Sequence, residues 1–209
     1  MKGKIKKGFD DDELKDIRCI HLKNLFKAIL EVKMNYYYSK NETISTGWQE
    51  QLERVFAYEL YHQWSLIQRQ YNDFLLAHGK KNDVRYINGE VGKKLEGIFK
   101  YPDMVLHGGQ DDITNQEIAI EIKRKANINA TNIIEDLEKL SQMITKGYLA
   151  YNAEPFKWGV FILTCGQVSD IKNKLESYTG EAILDEVLCV LCSGNDELEY
   201  YTIDEITKI

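Results

Sequence analysis

The run Glu117-Ile118-Ala119-Ile120-Glu121-Ile122-Lys123 constrains this chain more than any other segment. Side chains of a strand alternate between its faces. Ile118, Ile120 and Ile122 therefore share one face, and Glu117, Ala119, Glu121 and Lys123 share the other. The pattern predicts a strand with one wholly apolar face. On its other face Glu121 and Lys123 stand side by side, roughly 6.6 Å apart, and small Ala119 leaves room before them. Upstream, Asp103 opens a second strand-like run, Asp103-Met104-Val105-Leu106-His107, which leads into the turn residues Gly108-Gly109-Gln110-Asp111-Asp112. Two carboxylates and a lysine on neighbouring strands suit a hard cation beside a phosphate oxygen. The strands supply oxygen ligands, and the ammonium neutralises charge or activates water.

The rest of the pattern predicts an α/β fold. Residues 1–12 read as a loose charged tail, with Lys2, Lys4, Lys6 and Lys7 followed by Asp10, Asp11 and Asp12. Helical spacing runs from Glu13 to about Tyr38, and Asn41 to Thr46 is a polar break. Thr46-x-x-Gln49 resembles a capping box that opens a second long helix, ending near Tyr71. Strands are predicted at 86–90, 103–107 and 117–123, and a helix from Ala130 to Tyr151. Trp158 to Cys165 reads as a strand buried on both faces. Residues 168–177 read as a short helix, 186–192 as another buried strand and 200–203 as an edge strand. This order predicts a mixed central sheet flanked by helices. Residues 1–45 read as a tail and helical extension, and residues 46–209 as one domain.

The chain has 209 residues, 44% of them hydrophobic, which suffices for one domain with a sizeable core. No apolar stretch reaches the 18 or so residues a membrane-spanning helix needs, so no membrane partner is expected. The basic N-terminus lacks the apolar run of a signal peptide. Cys19, Cys165, Cys189 and Cys192 show no disulfide-like spacing, which points to a reduced, cytoplasmic protein. The net charge of −6 argues against a protein that coats DNA, although a cluster of metal-binding acids is itself acidic. Lys80-Lys81 and Lys93-Lys94 read as solvated turns and strand ends. Lys123-Arg124-Lys125 is the group placed to meet nucleic acid.

Pro102-Asp103, followed after seventeen residues by Glu121-x-Lys123, resembles the signature of the PD-(D/E)XK nuclease superfamily. With the surrounding elements the resemblance spans residues 47–165. It implies a restriction-endonuclease-like fold and a nuclease that hydrolyses phosphodiester bonds, with DNA as the expected polymer. Asp103, Glu121 and Lys123 would be catalytic. Asp103 and Glu121, joined by Glu59 and the Ile122 carbonyl, would hold Mg²⁺ or Mn²⁺. Arg124 and Lys125 would hold the nucleic-acid backbone. A homodimer or a protein partner would suit paired cleavage of a duplex.

Glu59 has its own argument. Trp48, Leu52, Val55, Phe56 and Leu60 define an inward stripe, and Glu59 falls on it, four after Val55 and three after Phe56. A carboxylate facing inward needs a partner or a metal. His62 and Gln63, one turn on, could point into the same cleft. Asp136 and Lys139 read as an exposed ion pair, although Lys139 could turn back toward the cleft. Glu117 is expected to be solvated. Gly108-Gly109 reads as a turn, since no Gly-Lys-Ser/Thr follows. Cys189 and Cys192 face opposite sides of an apolar strand and do not suit zinc. Glu59-x-x-His62 has no second copy to build a di-iron site, and no Gly-x-Ser-x-Gly elbow is present. The alternative is a catalytically silent module of the same fold that binds nucleic acid or protein. Another is a hydrolase of a smaller phosphate ester.

Overall fold

A computed structural model describes the chain except residues 11–13, 15, 34–45, 90–92, 96–97, 101, 110–113, 126–129, 147–153 and 177–185. The side chains of 46–52, 93–95, 98–100 and 130–132 also lie outside the described set. So do the capping box, Tyr101, Lys93-Lys94 and Gln110-Asp111-Asp112 of the sequence reading. In chain order the elements are β1 (Lys2–Lys6), α1 (Ile20–Glu31), α2 (Thr46–Ala77), β2 (Tyr86–Gly89), β3 (Lys93–Leu95), β4 (Ile98–Lys100) and β5 (Met104–His107). They continue with β6 (Gln116–Arg124), α3 (Ala130–Lys146), β7 (Trp158–Thr164), α4 (Val168–Glu176), β8 (Val187–Cys192), β9 (Glu197–Thr202) and α5 (Ile203–Thr207).

Seven strands form one mixed sheet in the order β1-β9-β8-β7-β6-β5-β2, while β3 and β4 pair separately. β6, β7 and β8 run parallel to one another, and the remaining pairs in the sheet are antiparallel. Every residue of β8, and all of β7 but Trp158, is buried. That is the condition of strands covered on both faces, and it explains their unbroken apolar sequence.

The alternation in β6 holds where it matters. Ile118, Ile120 and Ile122 join the core beneath α1 and α2, together with Phe26, Phe56, Leu60 and Trp64. Ala119 joins the opposite core with Val105, Phe161 and the α3 residues Ile133, Leu137 and Leu140. Cys189 and Cys192 likewise divide between the two cores as free thiols.

Four expectations are corrected here. Residues 2–6 are not a loose tail. They form β1, which pairs antiparallel with β9 in the register Lys2–Tyr201 to Lys6–Glu197. Its charged side chains find partners across the pair, with Lys4 2.8 Å from Glu197 and 3.4 Å from Glu199. β9 consequently lies inside the sheet rather than at its edge. Nor is the N-terminal segment an appendage, because α1 places Leu22, Leu25 and Phe26 fully within the first core. The helix is also shorter than its predicted 13–38 span. Among the described residues no helix is long and apolar enough to cross a membrane.

Candidate functional site

The site forms where β5 stops short of β6. The last β5–β6 pair at that end is Met104–Ile120, and one further register step sets Asp103 opposite Glu121. β6 continues to Arg124, so its later N–H groups toward this side have no β5 residue to meet. Two carboxylates take the place of the missing strand. Asp103 Oδ2 accepts the Ile122 N–H at 2.7 Å, and Glu53 Oε2 of α2 accepts the Arg124 N–H at 3.1 Å. The carbonyl of a strand residue points to the same side as its N–H. The Ile122 carbonyl therefore faces this edge too.

Around this edge the charges interlock. Lys139 Nζ of α3 lies 2.6 Å from Glu121 Oε1 and 3.1 Å from Asp136 Oδ1. Lys123 Nζ lies 3.3 Å from Asp136 Oδ2 and 3.6 Å from Glu53 Oε1. Glu121 is 2% exposed. Burial first, and the Asp103 charge second, push its carboxyl well above the usual range, although Lys139 pulls the other way. Burial likewise raises Asp103 to about 6, against the Ile122 hydrogen bond and the lysines, with Glu53 adding repulsion. Burial on its own would depress Lys123, but Asp136, Glu53, Asp103 and Glu121 together raise it. Lys123 is thus held as a cation and suits charge stabilisation rather than proton abstraction.

A cavity of about 420 Å³ opens beside Asp103 and Ile122, walled by Glu53, Arg54, Ala57, Tyr58 and Tyr61 of α2. The structure therefore brings Asp103, Glu121, Ile122, Lys123 and Lys139 together with two residues the sequence reading did not assign there, Glu53 and Asp136. Asp136 and Lys139 are no exposed ion pair: Asp136 is 8% exposed and bridges both lysines.

Glu59 is placed elsewhere. It accepts a hydrogen bond from Gln63 Nε2 at 2.7 Å, and neither residue is among the described lining of the cavity. The buried stripe of α2 is Phe56, Leu60 and Trp64, whereas Val55 is only half-buried. Extending that stripe back by helical spacing reaches Glu53, while Glu59 lies roughly 240° around the helix from Glu53. The spacing Glu53–Phe56–Leu60–Trp64 carries this signal in the sequence, whereas a stripe that includes Val55 turns toward Glu59. His62 is exposed. Lys125, nearly half exposed, pairs with Asp170 at 3.1 Å.

Glu117 is also corrected. The β5–β6 register shifts between Leu106 and His107, so Glu117 is skipped as a bulged residue. It turns into the protein, 4% exposed, and accepts bonds from Arg85 Nε and Lys157 Nζ, each at 2.9 Å. Burial opposes its ionisation, but these two cations hold its carboxyl below the usual range.

No family model, curated protein or solved structure matches this chain. Among the described residues no three His, Cys, Asp or Glu side chains are gathered as a ready metal cluster. The pair Asp103 and Glu121 nevertheless fits a hard cation by donor type. Mg²⁺ keeps several waters and needs only one or two carboxylates beside a substrate phosphate. The Asp103 charge raises the proton affinity of Glu121, and the Glu53 charge raises that of Asp103, so a cation among these acids would be favoured.

Proposed function

We propose that the protein is a divalent-metal-dependent nuclease of restriction-endonuclease-like fold that hydrolyses phosphodiester bonds, with DNA as the leading substrate. The observation that carries this reading is the register that sets Asp103 opposite Glu121, with Lys123 two residues on and a cavity alongside. Asp103 and Glu121, with the Ile122 carbonyl, would hold Mg²⁺ or Mn²⁺. A bound cation would supply a water of lowered pKa and stabilise charge on the phosphate.

The chain's own groups have definable parts. Lys123, held cationic by four carboxylates, would face the charge that builds on the phosphate. Glu53 and Asp136 fix that ammonium, and Lys139 neutralises Glu121 until the site is filled. Arg124 and Lys125 would meet the nucleic-acid backbone beyond the strand end. The four free cysteines accord with a reduced, cytoplasmic setting.

A second reading has one observation in its favour. The 2.6 Å contact of Lys139 with Glu121 gives the buried carboxylate a cation from the chain itself, without any metal. This would suit a silent module that binds nucleic acid or a protein partner.

The deciding experiment incubates labelled single- and double-stranded DNA and RNA with the protein and Mg²⁺ or Mn²⁺, beside an Asp103→Asn/Glu121→Gln variant. Metal-dependent cutting lost in the variant supports the nuclease. No cutting, with no calorimetric metal binding, supports the silent module.

A further inference from the structure

The α2 wall of the cavity carries two tyrosines that the fold does not bury. Tyr58 is 69% exposed and Tyr61 39% exposed, and both line the same cavity as Asp103. Arg54, also exposed, stands four residues before Tyr58 on that wall, and small Ala57 stands four before Tyr61. Residues three or four apart are neighbours on one side of a helix, so Tyr58 and Tyr61, three apart, form a continuous strip. The core-facing stripe of α2 is a different one, Phe56, Leu60 and Trp64. The tyrosines therefore contribute little to the core, and an exposed aromatic strip lining the cavity that holds Asp103 marks a ligand contact.

Charge narrows the ligand. The chain carries a net −6. The lysines around the site are already engaged: Lys123 with Asp136 and Glu53, Lys139 with Glu121 and Asp136, and Lys125 with Asp170. Among the described residues, a duplex held chiefly through many phosphate contacts would find few unengaged lysines here. Stacking on tyrosine is the alternative source of affinity, worth roughly 1–3 kcal/mol per base. It requires a base with a free face, which a paired base inside a duplex lacks and an unpaired one has. Arg54, on the same wall, supplies a guanidinium suited to the phosphate of that nucleotide.

We infer that Tyr58 and Tyr61 form a stacking platform for unpaired bases, so that the nucleic acid engaged by this site is single-stranded or locally melted. The inference deepens the nuclease reading and rests on the same site, but binding tests it apart from catalysis.

The test measures fluorescence anisotropy of a labelled DNA strand of about 12 nucleotides, matched to the span of common single-strand sites, and of a hairpin duplex. Both are titrated with protein in EDTA at low salt. The expected result is single-strand binding about tenfold or more tighter than hairpin binding. Tyr58→Leu and Tyr61→Leu should each weaken it by about five- to 150-fold, while Tyr58→Phe retains it. Both positions are exposed, and a circular-dichroism melt of each variant checks that the fold is intact. Equal affinity for the hairpin, unchanged affinity in both leucine variants, or no binding of either DNA overturns the platform. The nuclease reading fails separately. Absence of cutting with any metal, alongside tyrosine-dependent binding, leaves the platform standing. Duplex cutting indifferent to Tyr58 and Tyr61 removes the platform and leaves the nuclease.

Discussion

Asp103 Oδ2 accepts the backbone N–H of Ile122 at 2.7 Å, which ties the first carboxylate of the site to the strand that carries the second. The bond does the work of a strand residue that β5 does not provide. It does so with a carboxyl whose proton affinity is raised from 3.8 to about 6, so the folded protein binds more protons than the unfolded chain between those values. Stability must then fall as pH rises through that window. Asp103→Asn keeps an oxygen for the Ile122 N–H and removes the buried charge. The variant is expected to exceed wild type at pH 7.5 by at most roughly 3 kcal/mol, with the gap closing toward pH 4. Urea melts across pH 4 to 8 measure it. A variant less stable than wild type at every pH would show that the charge itself is well satisfied.

The same proton affinities set the pH dependence of metal binding. A cation must displace protons from Asp103 and from Glu121, both raised. Affinity for Mn²⁺ is expected to climb from pH 5.5 to 7.5, with protons released on binding, which calorimetry in buffers of different ionisation enthalpy detects. Thermal melts give a second readout, because a ligand at a hundred times its Kd stabilises by about 2.7 kcal/mol. Asp103→Asn/Glu121→Gln should show no such rise. A pH-independent affinity would mean that other groups bind the ion.

Glu53 and Glu59 share one helix and have different expected roles. Glu53 lies 3.6 Å from Lys123 and accepts the Arg124 N–H, whereas Glu59 meets only its helical neighbour Gln63 among the hydrogen bonds described. Glu53→Gln keeps an acceptor for Arg124 but loses the charge that positions Lys123. Nuclease turnover should drop about ten- to hundredfold, the usual range for groups that orient a site. Glu59→Gln should leave turnover unchanged. Reversed effects would return the α2 acid to Glu59.

What the sequence made legible was whatever depended on period. β7 and β8 are unbroken apolar runs, β6 alternates, and α3 keeps its apolar residues at helical spacing. Asp103, Glu121 and Lys123 followed from those strands, because a register of two neighbouring strands sets which side chains meet. Glu53, Asp136 and Glu117 did not follow. Glu53 and Asp136 are charged residues on helices, and their burial depends on partners 70 and 13 positions away in the chain, Lys123 in each case. Glu117 depends on a bulge, which shifts the face of one residue without changing the local pattern. β1 was hidden for a related reason. Only Ile5 of its five residues is buried, and its lysines match acids of β9 that lie about two hundred residues downstream.

That N-terminal strand can be tested at Gly3. A Cβ added there would lie 2.4 Å from Tyr200 Oη and 2.5 Å from its Cζ. The ring cannot simply swing aside, because Tyr200 is 4% exposed and packs on Phe26 with centroids 5.3 Å apart. Gly3→Ala should therefore either shift the ring or lift β1 from β9, at a cost of about 1–3 kcal/mol, as for other overpacked sites. A lower midpoint in thermal or urea melts is the expected outcome. Lys4→Ala, one residue on at an exposed ion pair, is the control and should barely move the midpoint. Were Gly3→Ala as stable as wild type, β1 would not be held against β9 in solution, and the loose tail suggested by its charge pattern would be the better description. If the loss appears at Gly3 and not at Lys4, packing against Tyr200, rather than the surface charges, holds the N-terminus in the sheet.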